Sequence, residues 1–580
     1  MKKKWIQQIC LFAALLMVLT ACGTPSKKEP EPTNEIGSTY PLSSFQLVRP
    51  DDASDELTAA VMSLNQAVKT YLGKTLPIRT DLNAANETAC EILVGDTTRA
   101  QSKEVLGSLV DGDYVIKSVE TETGMKLIVG GSDEHFTLRA VTALTSLIEQ
   151  KLIEENGGVK PVSLSYNLYE IYKNYTLQFG EATVIAQGNA NINWWGPYQF
   201  PKLYYTAKGD LYISWAMWND SVFGGGNVEG VNEMVSEDGG KTWREATSAD
   251  TPISSVKMNN GKYFMGFLQG ELITVENLSR YTPAISGTGY TKVHFASNIE
   301  EYDPVVYALE YDPNSGVTSK FPTEIKWPYM PVTEVAENTL YPLASTMAIN
   351  NRVGTINIDG VLYHCTYSRG FDSKTGTVSR RSGYYSVYVF RSADNGRTWD
   401  YHSQVTFTEE YMTHSNSEGF NECSMEIMRD GSVVMLIRCG DTERPMYMVR
   451  STDNCATWSK PQKFDDRGVY PQIQTLGCGV TVATYGRLGL WVRSTSDPSG
   501  LVWQDPIEIE MSPVEDPQTC PNHPTGNSGY HRESDFYTQI LPIDDDTFLL
   551  AYTDFHYPAQ SGTGIRKTIL IMTVDIVPTK

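Results

Sequence analysis

The stretch SADNGRTW, Ser392 to Trp399, is written three times in this chain. It stands as SEDGGKTW from Ser236 to Trp243 and, worn down, as STDNCATW from Ser451 to Trp458. Each shared residue suits a tight turn. An aspartate carboxylate hydrogen-bonds nearby backbone amides, a glycine supplies positive φ, and a tryptophan buries its ring between strands. The repeat therefore reads as frame rather than chemistry.

Around these copies, helical periodicity is absent after Gly180, and short apolar strands bounded by Gly, Asn and Asp take over. Tight turns recur at Lys208-Gly209, Asn260-Gly261, Asp359-Gly360, Asp430-Gly431, Cys478-Gly479 and Asp545-Asp546. Their spacing suits one four-stranded unit apiece with loop insertions. Pro201, Arg352, Cys423 and Pro471 each precede their turn glycine by eight residues, so the register holds inside the hairpins. The pattern predicts a mainly β protein, with a six-bladed β-propeller over 175–580 that KTILIMTV (Lys567–Val574) helps to close.

Residues 40–172 mix the two periodicities. EILVGD, DYVIKSV and MKLIVGG read as strands, while Leu138, Val141, Leu144, Ile148 and Leu152 fall at helical spacing behind Ser132 and Asp133, which can cap the helix. This predicts a small α/β domain. The pairing of EILVGDTTRAQ with LIVGGSDEHFTLRAVTAL resembles the non-catalytic α/β domain that precedes several bacterial glycosidases, such as hexosaminidases and α-glucuronidases.

The first 22 residues read as an export address: three lysines, then an apolar run from Ile9 to Leu19 that is too short to span a bilayer. Leu19-Thr20-Ala21-Cys22 resembles a bacterial lipobox, which implies acylation of Cys22. Residues 23–39, rich in proline and charge, then form a tether to a membrane surface outside the cytoplasm. A formal charge of −22 has the wrong sign for gripping nucleic acid. The seven cysteines beyond the address form no CxxC pair or Cys/His cluster, so neither a metal site nor a cofactor is expected.

Ser-x-Asp-x-Gly-x-Thr-Trp resembles the Asp-box of the sialidase superfamily, where it joins outer strands on the face away from the active site. The resemblance implies a glycoside hydrolase and points to its residues. NECSMEIMRDGSVVMLIR is similar to the stretch in which a glutamate opens one strand and an arginine closes the next, here Glu422 and Arg438. The following blade offers Arg487 and Arg493 for a second carboxylate-binding arginine. ESDFYTQILPIDDDTFLLAYTD places Tyr537 at the family's nucleophilic tyrosine, and Asp220, in the sequence WND, is the simplest general acid. Arginines clamp a sialic-acid carboxylate, and a neutral tyrosine avoids the repulsion that a carboxylate nucleophile would meet there.

The chain departs from the family at its first blade. Where sialidases write Tyr/Phe-Arg-Ile-Pro, it has Tyr198-Gln199-Phe200-Pro201, so the clamp loses an arginine. Strand alternation turns Lys202 to the opposite face from Gln199, and Arg352 is the candidate replacement. A glutamine bonds a hydroxyl or amide but does not neutralise a carboxylate, which shifts the expected substrate away from ordinary sialic acid. Without an anomeric carboxylate, a carboxylate pair drawn from Glu422, Asp220 and Asp535 is the competing mechanism. Trp194, Trp195, Tyr198, Trp215 and Trp218 crowd the same entrance, and Trp195 is suited to stack on a sugar ring. Two readings follow: a surface-anchored, exo-acting glycosidase of sialidase type, or a non-catalytic glycan-binding lipoprotein. A propeller polysaccharide lyase is a third.

Overall fold

The computed structural model describes residues 40–150, 158–192, 196–218, 227–254, 256–268, 270–286, 292–302, 305–341, 347, 354–369, 384–411, 419–439, 445–486, 489–510 and 537–579. Residues 1–39, where a signal and tether are expected, lie outside the described residues. The chain divides into two compact units, the first ending at Ile171 and the second beginning at Tyr172. Among the described residues no helix is long and apolar enough to cross a membrane.

In the first unit a six-stranded sheet runs in the order Ile78–Thr80, Gln46–Arg49, Glu91–Val94, Met125–Gly131, Asp113–Glu120 and Ser163–Asn167. The first four strands are parallel, and Asp113–Glu120 runs against both of its neighbours. The helix Asp55–Leu72 starts where the Ser54 hydroxyl accepts from the Leu57 N–H and stops at Gly73, whose left-handed φ of 73° suits glycine. The helix Glu134–Gln150 is capped by Asp133, which accepts from the Phe136 N–H at 3.0 Å. Val141, Leu144 and Ile148 of this helix are buried as their spacing requires, while Leu152 lies outside the described residues.

The second unit is antiparallel almost throughout. Gln199–Thr206, Leu211–Ala216, Glu233–Ser236 and Arg244–Glu245 pair in chain order. So do Phe420–Ile427, Val433–Cys439, Met446–Ser451 and Gln462–Asp465. Val469–Thr475, Thr481–Gly486, Leu490–Thr495 and Ile507–Glu510 repeat the meander. In the last sheet Ile565–Pro578, which contains KTILIMTV, pairs with Thr547–Pro558 on one side and with Tyr175–Phe179 and Thr183–Gln187 on the other, so the two ends of the unit share a sheet. The opening strands of the Asp430, Cys478 and Asp545 hairpins and of the Lys208 hairpin pack side by side in that order.

The region after Asn260-Gly261 departs from this meander. That turn is flanked by a single bridge, Lys257 to Tyr263, rather than by a full hairpin. Tyr263–Phe267, Val306–Asp312 and Val317–Lys326 instead join Thr398–Val405 through a parallel pairing of Val317–Lys326, giving a seven-stranded sheet with Tyr385–Ser392, Val361–Arg369 and Thr355–Ile358. A separate five-stranded sheet, Ile273–Thr274 to Ile285–Ser286, fills the intervening sequence. The extra chain between the second and third turns thus builds a sheet of its own.

The repeated stretches are turns, with one carboxylate organising each. Asp238 and Asp394 accept from the backbone N–H of Thr242 and Thr398, both at 2.9 Å, and Asp453 accepts from Thr457 at the same distance. Ser236, Ser392 and Ser451 donate to those carboxylates. Trp399 is fully buried, against Phe264 and Phe267. A fourth turn of this kind was not expected from the sequence. In TSDPSGLVW, Thr495 to Trp503, Asp497 accepts from the N–H groups of Leu501 and Val502, and the Trp503 indole donates to the Gly500 carbonyl at 2.8 Å. One extra residue hides it from the eight-residue pattern.

Candidate functional site

Three opening strands carry the same defect. Gln199 pairs with Ala216 but Lys202 with Ser214, Asn421 with Arg438 but Ser424 with Leu436, and Val469 with Gly486 but Gln472 with Thr484. In each, three steps on one strand face two on the other, which defines a β-bulge. The residue just before the Pro201, Cys423 or Pro471 register position adopts a left-handed backbone: Phe200 at φ 52°, Glu422 at φ 38° and Tyr470 at φ 49°. This region costs a non-glycine residue about 1–2 kcal/mol. The bulges push three half-buried side chains out of their ladders at equivalent places.

Those side chains converge. The Phe200 ring lies 4.5 Å from that of Tyr537 and 5.6 Å from that of Tyr470, and the Tyr470 and Tyr537 rings are 5.4 Å apart between centroids. Trp218, 49% exposed, lies parallel to Phe200 at 6.5 Å. Glu422 accepts from the Arg438 guanidinium at 2.6 Å through one oxygen and from the Tyr470 N–H at 2.9 Å through the other. The result is a floor of aromatic rings beside a carboxylate whose charge is matched by an adjacent guanidinium. Tyr537, nine residues before Asp546, occupies the corresponding register in the last sheet and is nearly buried.

The structure therefore brings together Glu422, Arg438 and Tyr537, and adds Phe200 and Tyr470, which sequence reasoning missed. Their shared distance from the turn glycines was visible, but the bulge that gives it meaning was not. Gln199 is fully buried beside them. Its side-chain oxygen accepts from the Gly196 N–H, and its amide nitrogen has no partner among the described residues.

Two expectations are corrected. Ala216 and Ser214, two residues apart on one strand, lie on the same face, and so do their partners Gln199 and Lys202. The bulge cancels the alternation that would have separated them, leaving Lys202 on the face from which the arginine is missing. Arg493 does not join the group. It sits on the third strand of its sheet, donates to the carbonyls of Gln504 and Phe464, and stacks over the Phe464 ring. Asp220, Arg352, Arg487, Trp195, Trp194 and Asp535 lie outside the described residues. Among the described residues no group of three His, Cys, Asp or Glu side chains could hold a metal ion.

Each Asp-turn of the second unit joins neighbouring strands of one sheet, and the bulged opening strands bring the Phe200, Tyr470 and Tyr537 rings together. Residues 345–563 match the BNR repeat-like domain. No curated protein matches the sequence. Among solved structures, a protein of unknown function from Dyadobacter fermentans is similar at 16% identity and a TM-score of 0.45, covering 69% of this chain and 99% of that one. The NanB sialidase of Streptococcus pneumoniae is similar at 14% identity and 0.35, over 68% of this chain and 70% of that one. The intramolecular trans-sialidase of Ruminococcus gnavus follows at 12% and 0.33, over 69% and 98%.

Proposed function

We propose that the second unit is a six-bladed propeller acting on glycans as an exo-glycosidase of sialidase type, with a substrate shifted from ordinary sialic acid, on a protein anchored outside the cytoplasm through Cys22. The observation that carries the reading is the convergence of Phe200, Glu422 and Tyr470, each pushed out by the same bulge, around Tyr537. Tyr537 is the nucleophile and Glu422 the group that receives its proton. A carboxylate offers about four lone-pair sites, and Arg438 and Tyr470 engage two, so Glu422 keeps acceptor capacity for a phenol proton or a sugar hydroxyl. The aromatic floor supports the C–H face of a pyranose, and Trp218 supplies an exposed ring at its edge.

The substrate shift rests on charge. Arg438 already has a carboxylate partner, Gln199 stands where the family's arginine would, and Lys202 is the cation that the bulge leaves on that face. Losing one member of a desolvated anion clamp costs about 2–5 kcal/mol, roughly tenfold or more in affinity. The test is a panel of 4-methylumbelliferyl glycosides that includes the sialoside. The wild-type protein should cleave the sialoside poorly, and Gln199→Arg should raise that cleavage. Efficient wild-type sialidase activity, lost in Gln199→Arg, would overturn the shifted substrate; its loss in Lys202→Met would assign the clamp role to Lys202. The same charge-matched Glu422–Arg438 pair also favours the second reading, a glycan-binding protein without turnover. That reading holds if no glycoside is cleaved while glycan binding persists and is lost in Phe200→Ala.

A further inference from the structure

We propose that the Asp-box turn at Trp458 forms a second saccharide site, one that takes neutral sugars. Three of the four turns close in one way. The indole N–H of Trp243, Trp399 or Trp503 donates to the carbonyl of Gly240, Gly396 or Gly500, at 3.1, 3.1 and 2.8 Å. The third turn does not. Its equivalent carbonyl, Cys455, accepts from the Ser403 hydroxyl at 2.5 Å, and the Trp458 indole donates to that same hydroxyl oxygen at 3.0 Å. A hydroxyl from a neighbouring sheet is thus inserted between the tryptophan and its own turn. Asn454 and Cys455 are held at φ 54° and 62°. The inserted hydroxyl ties the turn to the neighbouring sheet and sets the Trp458 indole apart from its own turn carbonyl, unlike the other three.

Beside the displaced indole opens a cleft of about 350 Å³, lined among others by Met448, Arg450, Thr457, Trp458, Gln462 and Leu501. That volume lies at the small end of ligand pockets, the size for one or two sugar rings. Its walls divide by chemistry. Half-buried Trp458 and Leu501, the latter 55% exposed, offer an apolar surface to a ring's C–H face, with buried Met448 behind them. Thr452 and Gln462 add polar side chains to the lining, while the Thr457 hydroxyl donates to Asp453 and the Ser459 hydroxyl accepts from the Arg450 N–H. Among the described residues no acidic side chain lines the cleft, and Arg450, the cation in that lining, is paired with Asp430 at 2.5 Å. With its charge already matched, the cleft has no preference for an ion, and a neutral pyranose has the mixture of apolar face and hydroxyl edge that it presents.

Titration calorimetry of the full chain with lactose, maltose and cellobiose tests the proposal. At least one should bind saturably in the millimolar range. Trp458→Ala and Leu501→Asp should each weaken that binding about tenfold or more, the exposed Leu501 keeping the test independent of any folding defect at the tryptophan. Tyr537→Phe should leave it unchanged. Absence of saturable binding to all three sugars, or binding indifferent to Leu501→Asp, overturns the site. Binding lost in Tyr537→Phe instead assigns the sugar to the central site.

Discussion

Glu422→Gln separates the parts that this residue plays in folding and in chemistry. The carboxylate sits at 13% side-chain exposure against Arg438 at 8%, with a 2.6 Å contact between them. Gln keeps the shape and can still accept from the Tyr470 N–H, so the main loss is the negative charge. Leaving a largely buried guanidinium without its counter-ion costs about 3–5 kcal/mol, with the lower end expected here because water reaches both side chains. Glu422→Ala adds the orphaned Tyr470 N–H, about 1–3 kcal/mol more. Equilibrium urea denaturation of the full chain measures both, and Arg438→Met in the Glu422→Gln background should recover much of the loss as a coupling of about 2 kcal/mol or more. If Glu422→Gln lies within about 1 kcal/mol of wild type and the double variant shows no coupling, Arg438 is not held by Glu422. Its guanidinium is then available to a substrate carboxylate.

Trp399→Ala should destabilise by about 3–5 kcal/mol, since the ring is fully buried between Phe264 and Phe267; an unchanged melting temperature with lost activity would move this turn to the functional face. The turn carboxylates predict an acid limb. The Thr242 hydroxyl and N–H hold Asp238 down at about 2 from 3.8, Thr457 lowers Asp453 in the same way, and at Asp394 burial pulls upward most strongly but the hydrogen bonds from Thr398, Ser392 and Arg397 together outweigh it. Because the folded pKa is depressed, this stability is complete above about pH 4 and is lost as pH falls towards 2. Melting temperature against pH should fall in that window, less steeply in Asp238→Asn. Cys22→Ser should release the protein from the membrane fraction, and an unchanged distribution would refute acylation there.

What could be read from the sequence was what repeats without insertion. The three turns and most of the hairpins follow from residues whose backbone needs are local, Asp, Gly and Asn foremost. The fourth turn escaped because one inserted residue between Asp497 and Trp503 breaks the spacing while leaving the carboxylate's hydrogen bonds intact. The region after Asn260 escaped because parallel pairing of Val317–Lys326 with Thr398–Val405 is a long-range choice that no local pattern records. At the candidate site Glu422, Arg438 and Tyr537 were reached through resemblance, whereas Phe200 and Tyr470 required the bulges. Period-two alternation fails wherever a strand gains a residue, and this is why Lys202 was first placed on the wrong face. Arg493 failed for a simpler reason, since its place on the third strand keeps it away from the opening strands that meet at the centre.

Backbone strain falls at both sites. Ten non-glycine residues among those described have left-handed φ. Five are Asn or Asp at turns, Asn277, Asn338, Asp359, Asn395 and Asn454, where a short polar side chain tolerates the conformation. The other five, Tyr198, Phe200, Glu422, Tyr470 and Cys455, have no such excuse and hold the strain only because surrounding structure imposes it. Phe200, Glu422 and Tyr470 lie at the bulges that meet beside Tyr537, and Tyr198 directly precedes Gln199. The fifth is Cys455, whose carbonyl is the one diverted to Ser403 beside the Trp458 cleft. A frame built for stability alone would place glycine or asparagine at all ten. Strain kept at the centre and at one of the four Asp turns marks the same two places that the side-chain chemistry selects, and it does so from dihedral angles that owe nothing to the identity of a ligand.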